Sequence, residues 1–282
     1  MSTVSLGTER GTSQETGRST RRGATAGVVL SEWTKLRSLR STRWALSLLV
    51  LLTLGFTALL LGLTMAQWDT ATAAQRQSLT SDPGRAILGS GFQFSQLAVC
   101  ILGVLLVTGE YGSGTIRASL LAVPKRTPML VAKAGVFAAV VFLVGEIAAF
   151  PSFFLGQAII RSRIAISLSD PGVLRAVIGG GLYLSLLGTF AIAIGTLVRH
   201  TAAGVTGVIG FVLILAPLTQ LLPGDIGRYV HAYMPSEAGS LIASPHRVSG
   251  GVLSPWQGLG VFCLWTLALL LAATFSLKRR DA

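Results

Sequence analysis

Glu146 is the one acidic residue well inside an apolar run of this 282-residue chain. A carboxylate at membrane depth is costly and is a functional candidate by default. Three readings of it are open. It reaches outer water or pairs with Arg161 or Arg163, it couples protons, or it lines a substrate cavity. Gln93 and Gln96, spaced i, i+3 in another apolar run, either glue helices together or line a path. With Glu146 they are the candidate substrate route. Other chemistry is missing. A phosphate-binding loop needs Lys after Gly, and the four lysines follow Thr34, Pro124, Ala132 and Leu277. No nucleophile elbow, zinc-protease helix or paired-carboxylate pattern occurs, so no enzyme activity and no cofactor are expected. His231, Glu237 and His246 are spaced too irregularly for a metal site. Cys100 and Cys263 both fall in apolar runs and read as buried free thiols, with no disulfide framework.

A second kind of feature is the hydrophilic stretch Gly109–Pro128, which has apolar segments of membrane length on both sides. Its Gly-rich entry turns freely, Thr115 can cap a short helix, and Pro124 and Pro128 stop that helix from running on. Ile116, Leu120 and Val123 form one stripe of it, with Arg117 and Ser119 opposite. Glu110 is the only acid in the stretch. Such a helix either lies on the lipid surface or serves as a handle for something outside the membrane.

The elements that position these residues follow from composition. The chain is 51% hydrophobic and 12% charged, with mean hydropathy +0.67, whereas soluble domains carry about 25% charged residues. This predicts an all-α integral membrane protein. The net charge of +12 sits beside apolar spans and not on a soluble basic face, which argues against nucleic-acid binding. Residues 1–26 read as a disordered tail without the apolar core of a signal peptide, so no cleavage is expected. Residues 27–43 read as an amphipathic helix in the membrane plane: Val29, Trp33 and Leu36 share a face flanked by Leu30 and Leu39, and Ser31, Lys35 and Ser38 oppose it. Arg37 and Arg40 lie along its edge, where their stems can snorkel.

A span needs about 20 residues to cross ~30 Å of hydrocarbon. Six fit within 44–282, at about 44–66, 87–108, 129–150, 173–198, 201–222 and 254–277. The apolar run beyond Phe150 predicts a kink or a second short element at Pro151. Most Lys and Arg residues fall on the side of the N-terminus, while Arg76, Arg85, Arg161, Arg163, Arg175, Arg228 and Arg247 lie opposite. The positive-inside rule then places both termini, and the stretch 109–128, in the cytoplasm. Arg199-His200 alone joins the fourth and fifth spans, which must be antiparallel neighbours. His200 is expected to favour a helix C-terminus. Gly181, Ser185, Gly188 and Gly195 on the fourth span, and Gly204, Gly207 and Gly210 on the fifth, predict close packing. The outer segment 223–253 suggests short helices at Tyr229–Met234 and Glu237–Ala243, with Tyr229, Tyr233 and Trp256 as interface residues.

Five stretches carry a family resemblance: Glu32-Trp33-Thr34-Lys35-Leu36-Arg37-Ser38; Glu110-Tyr111-Gly112-Ser113-Gly114-Thr115-Ile116-Arg117; Pro124-Lys125-Arg126 with Lys133; Leu197-Val198-Arg199-His200-Thr201; and Tyr233-Met234-Pro235. In this order, from Glu32 to the C-terminus, the chain resembles the transmembrane permease subunits of ABC-2 type transporters, in particular short stand-alone permeases of actinobacteria. The resemblance implies an exporter-type six-helix bundle in the cell membrane. The bundle would pair with a second copy or a paralogue and with two cytoplasmic ABC ATPase subunits. Thr115–Ala122 would be the coupling helix in a cleft of the ATPase, within a contact stretch of Glu110, Tyr111, Thr115, Ile116, Arg117, Leu120 and Val123. The interfacial helix, with Trp33, Lys35, Leu36 and Arg37, would also touch the ATPase, and 223–253 would match outer re-entrant helices. With no phosphate-binding loop of its own, the chain would draw on ATP hydrolysed by another chain. The alternatives are an ATP-independent proton-coupled transporter using Glu146, and a non-transporting membrane scaffold.

Overall fold

The computed structural model of the chain describes residues 27, 29–38, 40–112, 126–247 and 250–280. The tail 1–26 and the residues Thr115, Ile116, Arg117, Leu120 and Val123 lie outside them. Every regular element among the described residues is helical. Six helices are long and apolar enough to cross a membrane: Arg40–Ala66, Pro83–Gly112, Pro128–Ile160, Val173–Val198, Thr201–Leu221 and Pro255–Arg279. They are spans 1 to 6 below. Residues 29–38 form a helical segment ahead of span 1.

Span 4 is the axis of the bundle. It packs on spans 2, 3, 5 and 6, while span 1 lies against spans 2 and 3. Small residues set these approaches. A Cβ added at Gly103 of span 2 would stand 2.7 Å from the Gly188 carbonyl oxygen and 2.8 Å from the Ala191 Cβ. Gly195 and Gly204 both face Val104, and the Ser185 hydroxyl donates to the Ala138 carbonyl across spans 3 and 4 at 2.9 Å. Gly207 behaves otherwise: it is exposed with nothing near it, so the expected stripe on span 5 is used only at Gly204. Gly103→Val is expected to separate spans 2 and 4 and lower stability by about 1–3 kcal/mol, and Gly207→Ala to cause no loss. Thermal unfolding of both variants in the same detergent checks the contrast.

Two prolines lie in the interior of these spans. Span 3 belongs to one helix, Arg126–Ile160, that runs through Pro151 instead of ending there. At 1.5 Å per residue its 35 residues reach about 52 Å, well beyond the hydrocarbon. Packing holds the extension in place. Phe153 and Ile160 are fully buried in a second apolar cluster with Ile87, Val173 and Val177, and Gly156 lets Ile87 and Leu61 approach. That gain offsets the backbone hydrogen bond lost at Pro151. In span 5 a π-helical stretch, Gly210–Leu215, interrupts the α-helix. Pro217 follows it, and a proline ring collides with the carbonyl four residues back. The wider turn, in which the Ala216 N–H donates to the Phe211 carbonyl, accommodates the ring at this point.

At the end away from Glu110, the short helices fall at Gly224–Ala232 and Pro235–Ser240, with a 3-10 turn at Leu241–Ala243. Ala238 and Ile242 are completely buried, wedged against spans 4 and 6. Arg175 fixes them by donating to the carbonyls of Ile242, Ser244 and Pro245 at 3.3, 2.9 and 2.8 Å. Tyr229, Tyr233 and Trp256 are exposed there.

Candidate functional site

The densest polar arrangement among the described residues joins three helices at one end of the bundle. On the segment 29–38, Glu32 and Leu36 are buried, whereas Val29, Leu30 and Trp33 point outward. Of the expected apolar face, Val29 and Trp33 stay exposed, and Leu36 turns to the bundle on the side of Glu32. Glu110 sits in the last turn of the span 2 helix. A carboxylate there opposes the helix dipole and calls for a cation. Lys133, early in span 3, supplies it: its Nζ lies 2.7 Å from Glu110 Oε1 and 2.7 Å from Glu32 Oε2. Lys35 closes the ring, 2.9 Å from Glu32 Oε1 and 3.5 Å from Glu110 Oε1. The side chains of Lys133, Glu32 and Glu110 are 3%, 4% and 15% exposed, and that of Lys35 is 42% exposed.

Two acids and two bases leave the cluster neutral. Burying charges costs several kcal/mol each, and mutual attraction repays that only with good geometry. The cluster therefore adds little net stability while joining the segment 29–38 to spans 2 and 3. For Glu32, burial pushes the carboxyl up, and Lys133 and Lys35 more than offset this by charge and hydrogen bonding, holding it below its ordinary 4.5. For Lys35, burial pulls the amine down, and Glu32 and Glu110 more than offset it, raising it above 10.5. A lowered carboxyl contributes stability that is complete above its unfolded value and is lost as pH falls through its folded one. A raised amine contributes stability lost only as pH rises past 10.5. Stability is thus expected to be level through neutral pH and to fall in acid, less steeply in Glu32→Gln. Denaturation in micelles across pH measures this.

The neighbouring contacts extend the junction. Tyr111 carries the Arg199 guanidinium over its ring at 5.2 Å, and the Thr201 hydroxyl donates to Thr108 at 2.9 Å. Arg199 itself, at φ 58°, caps the C-terminus of span 4. His200 does not serve that end. Its Nδ1 accepts from the Ala203 N–H at 3.3 Å and caps the start of span 5. So Glu32, Glu110 with Tyr111, Lys133, and Arg199 with Thr201 gather at one end of the molecule. Glu110 turns its Oε1 inward to Lys133. Trp33 is exposed, Leu36 is buried and Arg37 is exposed.

The residues of the candidate substrate route stand in different surroundings. Gln93 is exposed, whereas Gln96 is buried and accepts from the Tyr183 hydroxyl at 3.1 Å, which is a packing role. Glu146 does not pair with Arg161 or Arg163; Arg163 meets Asp69 instead, at 3.2 Å. Both Glu146 oxygens are enclosed and have no hydrogen-bond partner among the described residues. They press on Gly181, where an added Cβ would collide with Oε1. An unsatisfied buried polar group costs about 1–3 kcal/mol. Glu146→Leu is therefore expected to raise thermal stability by an amount of that order, and Gly181→Ala to lower it.

His231 faces Thr219 and, at 3.6 Å, Glu237, while His246 faces Asp82. No three metal-capable side chains converge among the described residues. Cys100 is buried, but Cys263 is exposed on the bundle surface. Lys133 and Glu32 are the site residues that sequence reasoning missed. A lysine a few residues inside an apolar span needs an acid nearby, and that signal was present.

The six apolar helices and the absence of any strand among the described residues define a multi-pass, all-helical membrane protein, compatible with a permease. No family model and no curated protein matches the chain.

Proposed function

We propose that the chain is the membrane-spanning subunit of an ABC-type exporter. It moves its substrate across the cell membrane with ATP hydrolysed on a separate cytoplasmic subunit, and it works as a pair with a second copy or a paralogue. One observation carries this reading: residues from four of the five stretches that resemble ABC-2 permeases meet at one end, around the buried Glu32–Lys133–Glu110 contacts. Both stems of the loop 113–125 are locked there to the helical segment 29–38. A push on that loop would move spans 2 and 3 and the segment 29–38 together, which is what a coupling device requires. The Lys and Arg bias puts this end, with both termini, in the cytoplasm.

The test is energetic. Purified with its partner in mild detergent and reconstituted, the complex is expected to hydrolyse ATP, while the chain alone does not. Transport that proceeds without any nucleotide-binding subunit contradicts the proposal. One observation favours a second reading. The partnerless carboxylate of Glu146 suits a proton-coupled transporter, which would run on a pH gradient alone and stop in Glu146→Gln.

A further inference from the structure

A cavity of about 630 Å³ is lined by the charge cluster and by side chains of the segment 29–38 and of spans 1, 2 and 3. Lys35 and Glu110 give it a charged, polar end, Ser38 and Ser41 add hydroxyls, and Ala45 and Leu105 are among its apolar lining. Ser38, Ser41 and Leu105 are exposed, so the opening faces whatever surrounds the bundle. Its level is set by the helix ends. Glu110 lies in the last turn of the span 2 helix and Ser41 in the first turn of span 1, where phospholipid headgroups meet the hydrocarbon.

The polar end has one unmet demand. Glu110 Oε1 takes both lysines, but Glu110 Oε2 is enclosed with no hydrogen-bond partner among the described residues. A carboxylate has about four acceptor sites, and Glu110 lines the cavity, so it brings unused acceptor capacity to the polar end. An anionic head without an N–H would leave Oε2 unmet and add charge beside two carboxylates. A quaternary ammonium has the charge but no hydrogen to donate. A primary ammonium has both.

We infer that this cavity binds a zwitterionic phospholipid with a primary-amine head, such as phosphatidylethanolamine. Its ammonium donates to Glu110, its phosphate accepts from Lys35 and the Ser41 hydroxyl, and its upper acyl chain lies along Ala45 and Leu105. The lipid seals the space between the segment 29–38 and the spans. This holds whether the chain is driven by ATP or by protons.

The experiment uses the full chain in mild detergent, with native mass spectrometry after addition of phosphatidylethanolamine, phosphatidylcholine or phosphatidylglycerol of matched chains. One phosphatidylethanolamine per chain is expected, bound at least about tenfold more tightly than the other two, the worth of one charge-assisted hydrogen bond. Glu110→Gln removes the preference. Because that change also disturbs the charge cluster, Leu105→Trp serves as the second variant, filling the cavity from an exposed wall position while leaving the cluster intact. It is expected to abolish the bound lipid without lowering the melting temperature of lipid-free protein. Lipid that survives exchange into lipid-free detergent is a resident component, and lipid that leaves and rebinds from vesicles is drawn from the membrane; either result supports the site. Equal binding of the three lipids, or undiminished phosphatidylethanolamine in Leu105→Trp, overturns it.

Discussion

Lys133→Met is expected to destabilise the Glu110 end of the bundle by about 3–5 kcal/mol, the usual effect of removing one partner from a buried ion pair. Two carboxylates, from Glu32 and Glu110, would be left facing each other, with only the half-exposed Lys35 between them. The loss should be local: faster hydrogen exchange at residues 29–38 and at the end of span 2, with the far end, held by Arg175 and the buried Ile242, unchanged. Restoring neutrality separates charge from packing. In the triple variant Glu32→Gln, Glu110→Gln, Lys133→Met, most of the stability is expected to return, because replacing a whole buried ion cluster is often neutral. Function should not return with it if the cluster sets which helices move together. Unfolding by denaturant in micelles, combined with segment-resolved hydrogen exchange, reads both quantities.

Much of this frame is legible in the residues, because hydropathy, length and the cost of bare backbone in lipid permit little else. The six spans, the turn at Arg199-His200 and short helices ahead of span 6 all follow from local pattern. What is not legible depends on long-range packing. Pro151 reads as a kink or the start of a second short element, and of these the second does not form: Phe153, Gly156 and Ile160 find partners on spans 1, 2 and 4 that keep the helix going. His200 reads as the end of one helix and is the cap of the next. Gln93 and Gln96 differ by less than one turn, which is enough to put one on the surface and the other against Tyr183. The site was half visible. Glu110 and Lys35 stood out as polar residues near apolar runs. Their convergence with Glu32 and Lys133, 101 residues apart in the chain, is a tertiary fact that helical periodicity does not encode. For residues 29–38 periodicity picks out the apolar residues Val29, Leu30 and Trp33, which are exposed, but it gives no weight to the ion pair that turns Glu32 to the bundle.

The second large effect concerns the loop between the clamped stems. Ile116, Leu120 and Val123 form the apolar stripe of the proposed coupling helix, and a carboxylate in an apolar docking face is strongly unfavourable when buried without a partner. Ile116→Asp and Leu120→Asp are each expected to reduce partner binding by at least about two orders of magnitude, the scale of a lost hot spot, while leaving the fold of the spans unchanged. Arg117→Ala, a polar edge residue in this picture, should weaken binding less. If the stripe instead lies on lipid, both Asp variants would release the loop from the surface and leave the partner in place.

The most direct measurement is the stoichiometry of a Walker-motif polypeptide retained by the chain when it is purified from its native membrane in mild detergent. One such subunit per copy of wild-type chain is expected, lost in Ile116→Asp and in Leu120→Asp although both variants remain folded. No Walker-motif polypeptide with the wild-type chain, or full retention in both variants, would contradict it.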